Sequence, residues 1–365
     1  MKKTLVALAA LASVSAFAQS SVTIDGQYDA GYQSLKYKGS SVTGFAGNGS
    51  TTSQINFRGT EDLGGGVKAS FRVESDWNTA ANNGNTGAKN ADGTVANMSS
   101  FGNGELRGGI AGGFGAVDFG AINNSGLTAY LTGQPFGTAI GSSFRGLFIN
   151  DTSANNGVRF DNSARYTTPS FSGFTGTLLK VNKQTVATTS NFGALGAYDY
   201  MGVNEYSLNY NNGPINATFS SIKQDYDGVQ IGAATGNYTT KLNTLGANYA
   251  LNPSTKLFLL RQTRTKSDGS VDRTATTISA SYTMGANVFI AQMGSGKDSG
   301  TAGNNASSKL KSIGYDYNLS KMSSVYVRYE NTKDDGGWVA NAATIPSVAG
   351  DTSRSRTALG LRIGF

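Results

Sequence analysis

Cysteine and histidine are both absent from the 365 residues. Without cysteine there is neither a disulfide framework nor a thiolate site. Without histidine the commonest general base and metal ligand is missing. No segment reaches 18 consecutive apolar residues, so the sequence contains no helical membrane span. That does not exclude a membrane protein, because barrel strands alternate and leave only a weak hydropathy signal. Proline is scarce at 5 residues, whereas 49 Gly, 18 Phe and 17 Tyr favour many strands joined by loops. No repeat with a period of roughly 20–50 residues is evident, which argues against a propeller or a solenoid.

The first residues carry the marks of an export signal. Lys2 and Lys3 form a charged region, Leu5 to Ala12 an apolar one, and Ala16-Phe17-Ala18 a small-residue cleavage site. The apolar stretch is too short to span a bilayer. Residues 1–18 are therefore expected to be a signal peptide and residues 19–365 the mature domain. Loss of Lys2 and Lys3 lowers the formal charge from +7 to +5 (7 − 2).

At the other end, Leu359, Leu361, Ile363 and Phe365 fall on one face of a strand, because side chains alternate with period two. Arg354, Arg356, Gly360, Arg362 and Gly364 fall on the other. The same alternation recurs over 21–32, where Val22, Ile24, Tyr28 and Tyr32 oppose Thr23, Asp25, Gln27 and Asp29. It recurs over 66–76 and 310–319 as well. Stretches near 174–183, 255–263 and 286–294 alternate poorly, and their faces stay unassigned.

Period-two reading gives sixteen strands whose connections alternate short and long. Short ones lie at 62–66, 111–115, 168–173, 211–214, 251–255, 283–287 and 318–323. Gly, Asn and Pro in them supply the dihedrals of tight reversals. Long ones lie near 35–52, 77–100, 122–157, 183–204, 224–240, 266–272, 295–308 and 332–353. In an up-and-down barrel such sorting places every short turn at one end and every long loop at the other, the arrangement of periplasmic turns and external loops. A soluble sandwich has no reason to sort its loops in this way.

Several stretches carry a family resemblance. Arg58-Gly59-Thr60-Glu61-Asp62-Leu63-Gly64-Gly65-Gly66-Val67-Lys68-Ala69 resembles the second strand, first turn and third strand of general porins from beta-proteobacterial outer membranes. Gly112-Gly113-Phe114-Gly115 is similar to their second turn. Asn162 to Phe174 resembles their sixth strand and third turn, and Gly314 to Lys321 their fourteenth strand. Together with the terminal Phe365, the resemblance covers essentially the whole mature chain. It implies an all-β, 16-stranded antiparallel transmembrane β-barrel that forms homotrimers, with the third loop, about 122–157, folded inward as a constriction. Two departures stand out. Gly104 and Ala121 occupy places where such porins often carry arginines, and the third loop holds only one base, Arg145, and one acid, Asp151. Its Gln134-Pro135-Phe136-Gly137 is similar to a porin loop motif without the usual acid.

The residues that bear on selectivity are arginines on polar registers: Arg58, Arg72 and Arg165 first, then Arg107 and Arg159. A charge facing lipid at midplane costs about 2–4 kcal/mol, which favours inward placement. Two readings stay open at this point. The arginines attract anions, or they pair with inward acids such as Asp25, Asp29, Glu74, Asp118 and Asp161. Gly294-Ser295-Gly296-Lys297 is a poor phosphate loop, since it lacks the earlier glycine and a Ser or Thr after the lysine. The loop acids Asp225, Asp227, Asp334 and Asp335 read as solvated charge before they read as a divalent-cation site. Dispersed basic residues without a recognised binding fold do not indicate nucleic-acid binding.

The expected protein is an outer-membrane channel for passive diffusion of small hydrophilic solutes and ions, with a preference for anions, without enzymatic activity and without a cofactor. Its expected partners are its own copies, outer-membrane lipid and lipopolysaccharide, and the barrel-assembly machinery that reads Phe365. A substrate-specific anion channel and a non-conducting barrel serving as adhesin or anchor are the alternatives.

Overall fold

Residues that alternate between apolar and polar pair edge to edge until the sheet meets itself. The computed structural model describes residues 20–37, 40–77, 79, 101–143, 147, 158–182, 201–226, 237–302, 305–334 and 353–365. The expected signal peptide lies outside them. The strands are β1 (Ser21–Tyr37), β2 (Ser40–Gly47), β3 (Gln54–Gly64), β4 (Val67–Asp76), β5 (Leu106–Gly112), β6 (Gly115–Asn123), β7 (Arg159–Thr167), β8 (Phe174–Val181) and β9 (Met201–Asn212). They continue with β10 (Ile215–Tyr226), β11 (Tyr238–Asn252), β12 (Thr255–Lys266), β13 (Asp272–Met284), β14 (Asn287–Asp298), β15 (Ser307–Asn318), β16 (Ser323–Asp334) and β17 (Ser353–Gly364). One helix among the described residues, α1 (Ser125–Thr132), follows β6.

Each strand from β3 onward pairs antiparallel with the next, and β17 pairs with β1, Tyr28 opposite Ile363, so the sheet closes. Closure leaves no strand edge to seek a partner, the condition for a β-structure in lipid. The barrel has sixteen strands because β2 and β3 are one strand with a break: β2 pairs with the upper half of β1 and β3 with its lower half. The backbone leaves the sheet at Asn48, which takes a positive φ of 61°. It then wraps around the buried Asp29 carboxylate, which accepts the N–H groups of Gly49, Ser50 and Thr51 at 2.8–3.0 Å. Those donors would otherwise lack partners where the ladder stops.

All seven short turns lie where the sequence placed them. Two long connections differ. The loop expected over 35–52 is mostly strand, since β1 runs to Tyr37 and β2 begins at Ser40. The connection over 266–272 shrinks to the five residues between β12 and β13. There Lys266 Nζ sits 2.8 Å from Asp268, and Ser270 N–H bonds the same carboxylate, so a tight polar turn suffices.

Faces follow the alternation. Val22, Ile24, Tyr28, Tyr32, Leu359, Leu361, Ile363 and Phe365 are all exposed, on the side opposite the paired charges. The poorly alternating stretches have apolar residues on both faces. Leu178 is exposed while Leu179 and Val181 are buried; Leu257 and Leu259 are exposed while Leu260 is buried; Phe289 and Met293 are exposed while Ile290 is buried. Part of the buried apolar set packs against the segment after β6, and part packs strand to strand. Tyr130 and Leu147 join Leu260, Ala275 and Leu310 in one cluster. Ile122 and Phe160 join Leu179, Val181, Val203 and Ile222 in another.

Candidate functional site

On β3, β4 and β5, three arginines stand directly opposite one another, Arg58 facing Arg72 and Arg72 facing Arg107. Arg165 lies beyond, across β6, where it faces Asp118. Like charges directly opposite destabilise a sheet, so the row requires counter-charges, and the sheet provides them. Arg58 Nε donates to Asp25 Oδ2 at 2.6 Å. Arg72 is ion-paired to Glu74 and donates to Glu105 Oε2 at 2.7 Å, and its other donors reach Asn56 Oδ1 at 2.8 and 3.1 Å. Arg107 donates to Asp118 Oδ1 at 2.8 Å and lies 3.6 Å from Glu105. Arg165 binds Asp118 Oδ2 through two donors, at 2.7 and 3.2 Å. Arg159 lies 3.9 Å from Glu74 and donates to the Asn103 carbonyl at 2.7 Å.

The five arginines of the polar registers thus come together as a wall, interleaved with acids. Arg58 is the most open of them, with 40% of its side chain accessible against 15% for Arg72. Of the acids expected as partners, Asp25, Glu74 and Asp118 take that role. Asp29 instead holds the break between β2 and β3, where it also accepts the Tyr326 hydroxyl at 2.5 Å. Glu105 is the acid that the sequence reading missed. It precedes β5 by one residue and shares parity with Arg107, and that parity was the available signal. Gly104 donates its N–H to the Glu74 carbonyl at 2.9 Å, and a Cβ there would collide with the Glu74 side chain. An arginine at 104 is incompatible with that packing. Arg145 and Asp151 lie outside the described residues.

The segment after β6 covers the other walls. Asn124 caps α1 by accepting the Leu127 N–H at 2.8 Å. The Gly126 N–H donates to the buried Glu205 of β9 at 3.0 Å, so a carboxylate meets the positive end of the helix. α1 lies so close to β11 that a Cβ on Gly246 would overlap the Ala129 carbonyl oxygen. Gln134 does not present a free amide: its Nε2 donates to the Gly137 carbonyl and to Ser142 Oγ, both at 2.7 Å. Gly141 N–H then donates to Glu330 of β16 at 2.8 Å, and Ile140 N–H to the Gly49 carbonyl at 3.3 Å. Residues 122–143 contain no charged side chain. Among the described residues the segment therefore packs against β9 to β12, β14 and β16, and residues 122–143 bring no charge to them.

The family of Gram-negative porins matches residues 4–337 of the chain. The chain is a Gram-negative porin. Curated relatives agree: outer membrane porin protein 32 of Delftia acidovorans is 29% identical over all of this chain and 99% of its own. An outer membrane porin protein of Bordetella pertussis is 32% identical over 70% of this chain and 66% of its own. Among solved structures, an anion-selective porin from Comamonas acidovorans shares the fold, with a TM-score of 0.75 over 95% of this chain and 100% of its own, at 24% identity. The porin is accordingly an outer-membrane channel, and its exposed apolar rows face lipid.

Proposed function

We propose that the porin passes small hydrophilic solutes and ions by passive diffusion with a preference for anions. Arg58, Arg72 and Arg165 set that preference, Arg107 and Arg159 assist, and residues 122–157 narrow the lumen. The observation that carries this reading is the row of five arginines on β3 to β7, interleaved with four acids, in a barrel whose residues 122–143 carry no charged side chain. At about 7 Å in water a unit charge attracts an anion by about 0.6 kcal/mol, an enrichment of about threefold. Three bare arginines would give about twentyfold. Interleaved acids cancel much of this, so the expected selectivity is a few-fold, weak enough that ions also leave.

Reversal potentials in a KCl gradient test the preference, and a cation-selective value would overturn it. Changing Arg58 and Arg72 together to Gln should move the potential towards cations, because Glu74 and Glu105 lose a shared partner. Unchanged anion permeability would refute the residue assignment. Saturable block by a single solute would favour a substrate-specific channel. Homotrimer assembly accords with the resemblance to trimeric porins, and crosslinking or migration of unboiled samples on gels checks it.

A further inference from the structure

We propose that Lys297, Lys309, Lys311 and Lys333 seat the phosphate-bearing headgroup of a lipid in the outer leaflet. All four are exposed and share the outward registers of β14, β15 and β16 with Met293, Ile313 and Tyr329. They occupy the long-loop half of these strands, whereas the apolar and aromatic residues occupy the short-turn half. The outward row of β15 reads Tyr317, Tyr315, Ile313, Lys311, Lys309. Eight residues from Tyr317 to Lys309 rise roughly 20 Å along the membrane normal at a strand tilt of about 40°. That places Lys309 close to the outer limit of an apolar band about 25 Å tall. Lys311, one pair deeper, reaches the same level by extending its stem along the wall.

Lys309 faces Lys333 directly across the β15–β16 ladder. Opposed like charges repel, and elsewhere on the barrel the fold compensates for this. At Lys223 opposite Lys241, Asp225 lies 3.0 Å from Lys223. Among the described residues, no acid forms an ion pair with any of the four lysines on β14 to β16. Their counter-charge comes from the surroundings. A second copy of the same face would set lysine against lysine, so the occupant is anionic and lipid-borne. Phosphates on a membrane headgroup satisfy both the charge and the depth. The proposal rests on the outer-membrane reading, with long loops outward.

Native mass spectrometry of the purified full-length porin with diphosphorylated lipid A, with its dephosphorylated counterpart and with inorganic phosphate tests it. The wild type should retain the diphosphorylated lipid. Lys309→Gln with Lys333→Gln should weaken retention by about fivefold for each lysine removed, and Lys→Arg at both positions should restore it. Equal retention by wild type and the Gln variant would overturn the proposal. So would equal binding of the dephosphorylated lipid, or displacement of the lipid by millimolar inorganic phosphate. Single-channel conductance of the Gln variant should match the wild type, because neither side chain faces the lumen. A wild type that retains the lipid but does not conduct would count against the pore reading instead.

Discussion

Glu105 concentrates the charge balance of the arginine wall in one side chain. It accepts from Arg72, approaches Arg107 and accepts the Asn123 N–H at 3.1 Å. Glu105→Gln keeps the shape and removes one negative charge beside two arginines. Anion permeability should rise by about threefold and cation permeability fall by about as much, the effect of one unit charge at about 7 Å in water on each ion. A KCl-gradient reversal potential reads this directly. Arg58→Gln should act in the opposite sense and with less disturbance of packing than Arg72→Gln, since Arg72 has three charged or polar partners and Arg58 is the more open. Legibility at this scale was partial. Parity put the arginines on one face, but parity alone cannot say which acid meets which arginine, because register between strands sets that.

Among the elements, α1 and the residues after it are held by packing rather than by covalent constraint. Tyr130 is buried between Leu147, Leu260, Ala275 and Leu310, and its hydroxyl bonds Ser143 at 3.1 Å. Tyr130→Ala should cost about 3–5 kcal/mol of local packing. The expected result is a noisier and larger single-channel current with faster proteolysis within 122–157. The β12–β13 turn offers a pH-dependent counterpart. Hydrogen bonds from Lys266 and Ser270 hold Asp268 at about 2, below its ordinary 3.8. A depressed carboxyl stabilises the fold above its unfolded value, and that contribution is lost as pH falls towards about 2. An NMR titration of the Asp268 carboxyl should show that midpoint, and a midpoint near 3.8 would contradict the contact. Of the strands whose faces the sequence left unassigned, β12 packs Leu260 with Tyr130 of α1, and Gln292 of β14 donates to the Gly141 carbonyl at 3.2 Å. Leu260 and Ile290 look misplaced on a polar register until the segment that covers them is in place.

For the whole molecule, closure is the central fact. β17 meets β1 through Gly26 N–H to the Phe365 carbonyl at 3.0 Å and Phe365 N–H to the Gly26 carbonyl at 3.1 Å, and the Phe365 ring lies against Trp77. Deleting Phe365 removes both bonds and the terminal ring. The folded fraction in outer membranes should fall, seen as loss of the heat-modifiable band on gels, and an unchanged band would show that the last residue is dispensable for closure.

The sequence by itself determined the strand count, the short turns, the outward apolar rows and the arginine register, because each depends on period-two alternation and local turn chemistry. It also carried the family. Tertiary structure decided the rest. It broke the second strand around Asp29, drew the 266–272 connection into a tight turn, spread an uncharged segment along β9 to β16 and gave each arginine of the wall its acid. These depend on which residues meet across the sheet and across the barrel, and side-chain pairing over such separations is a property of closure and register that no local pattern contains.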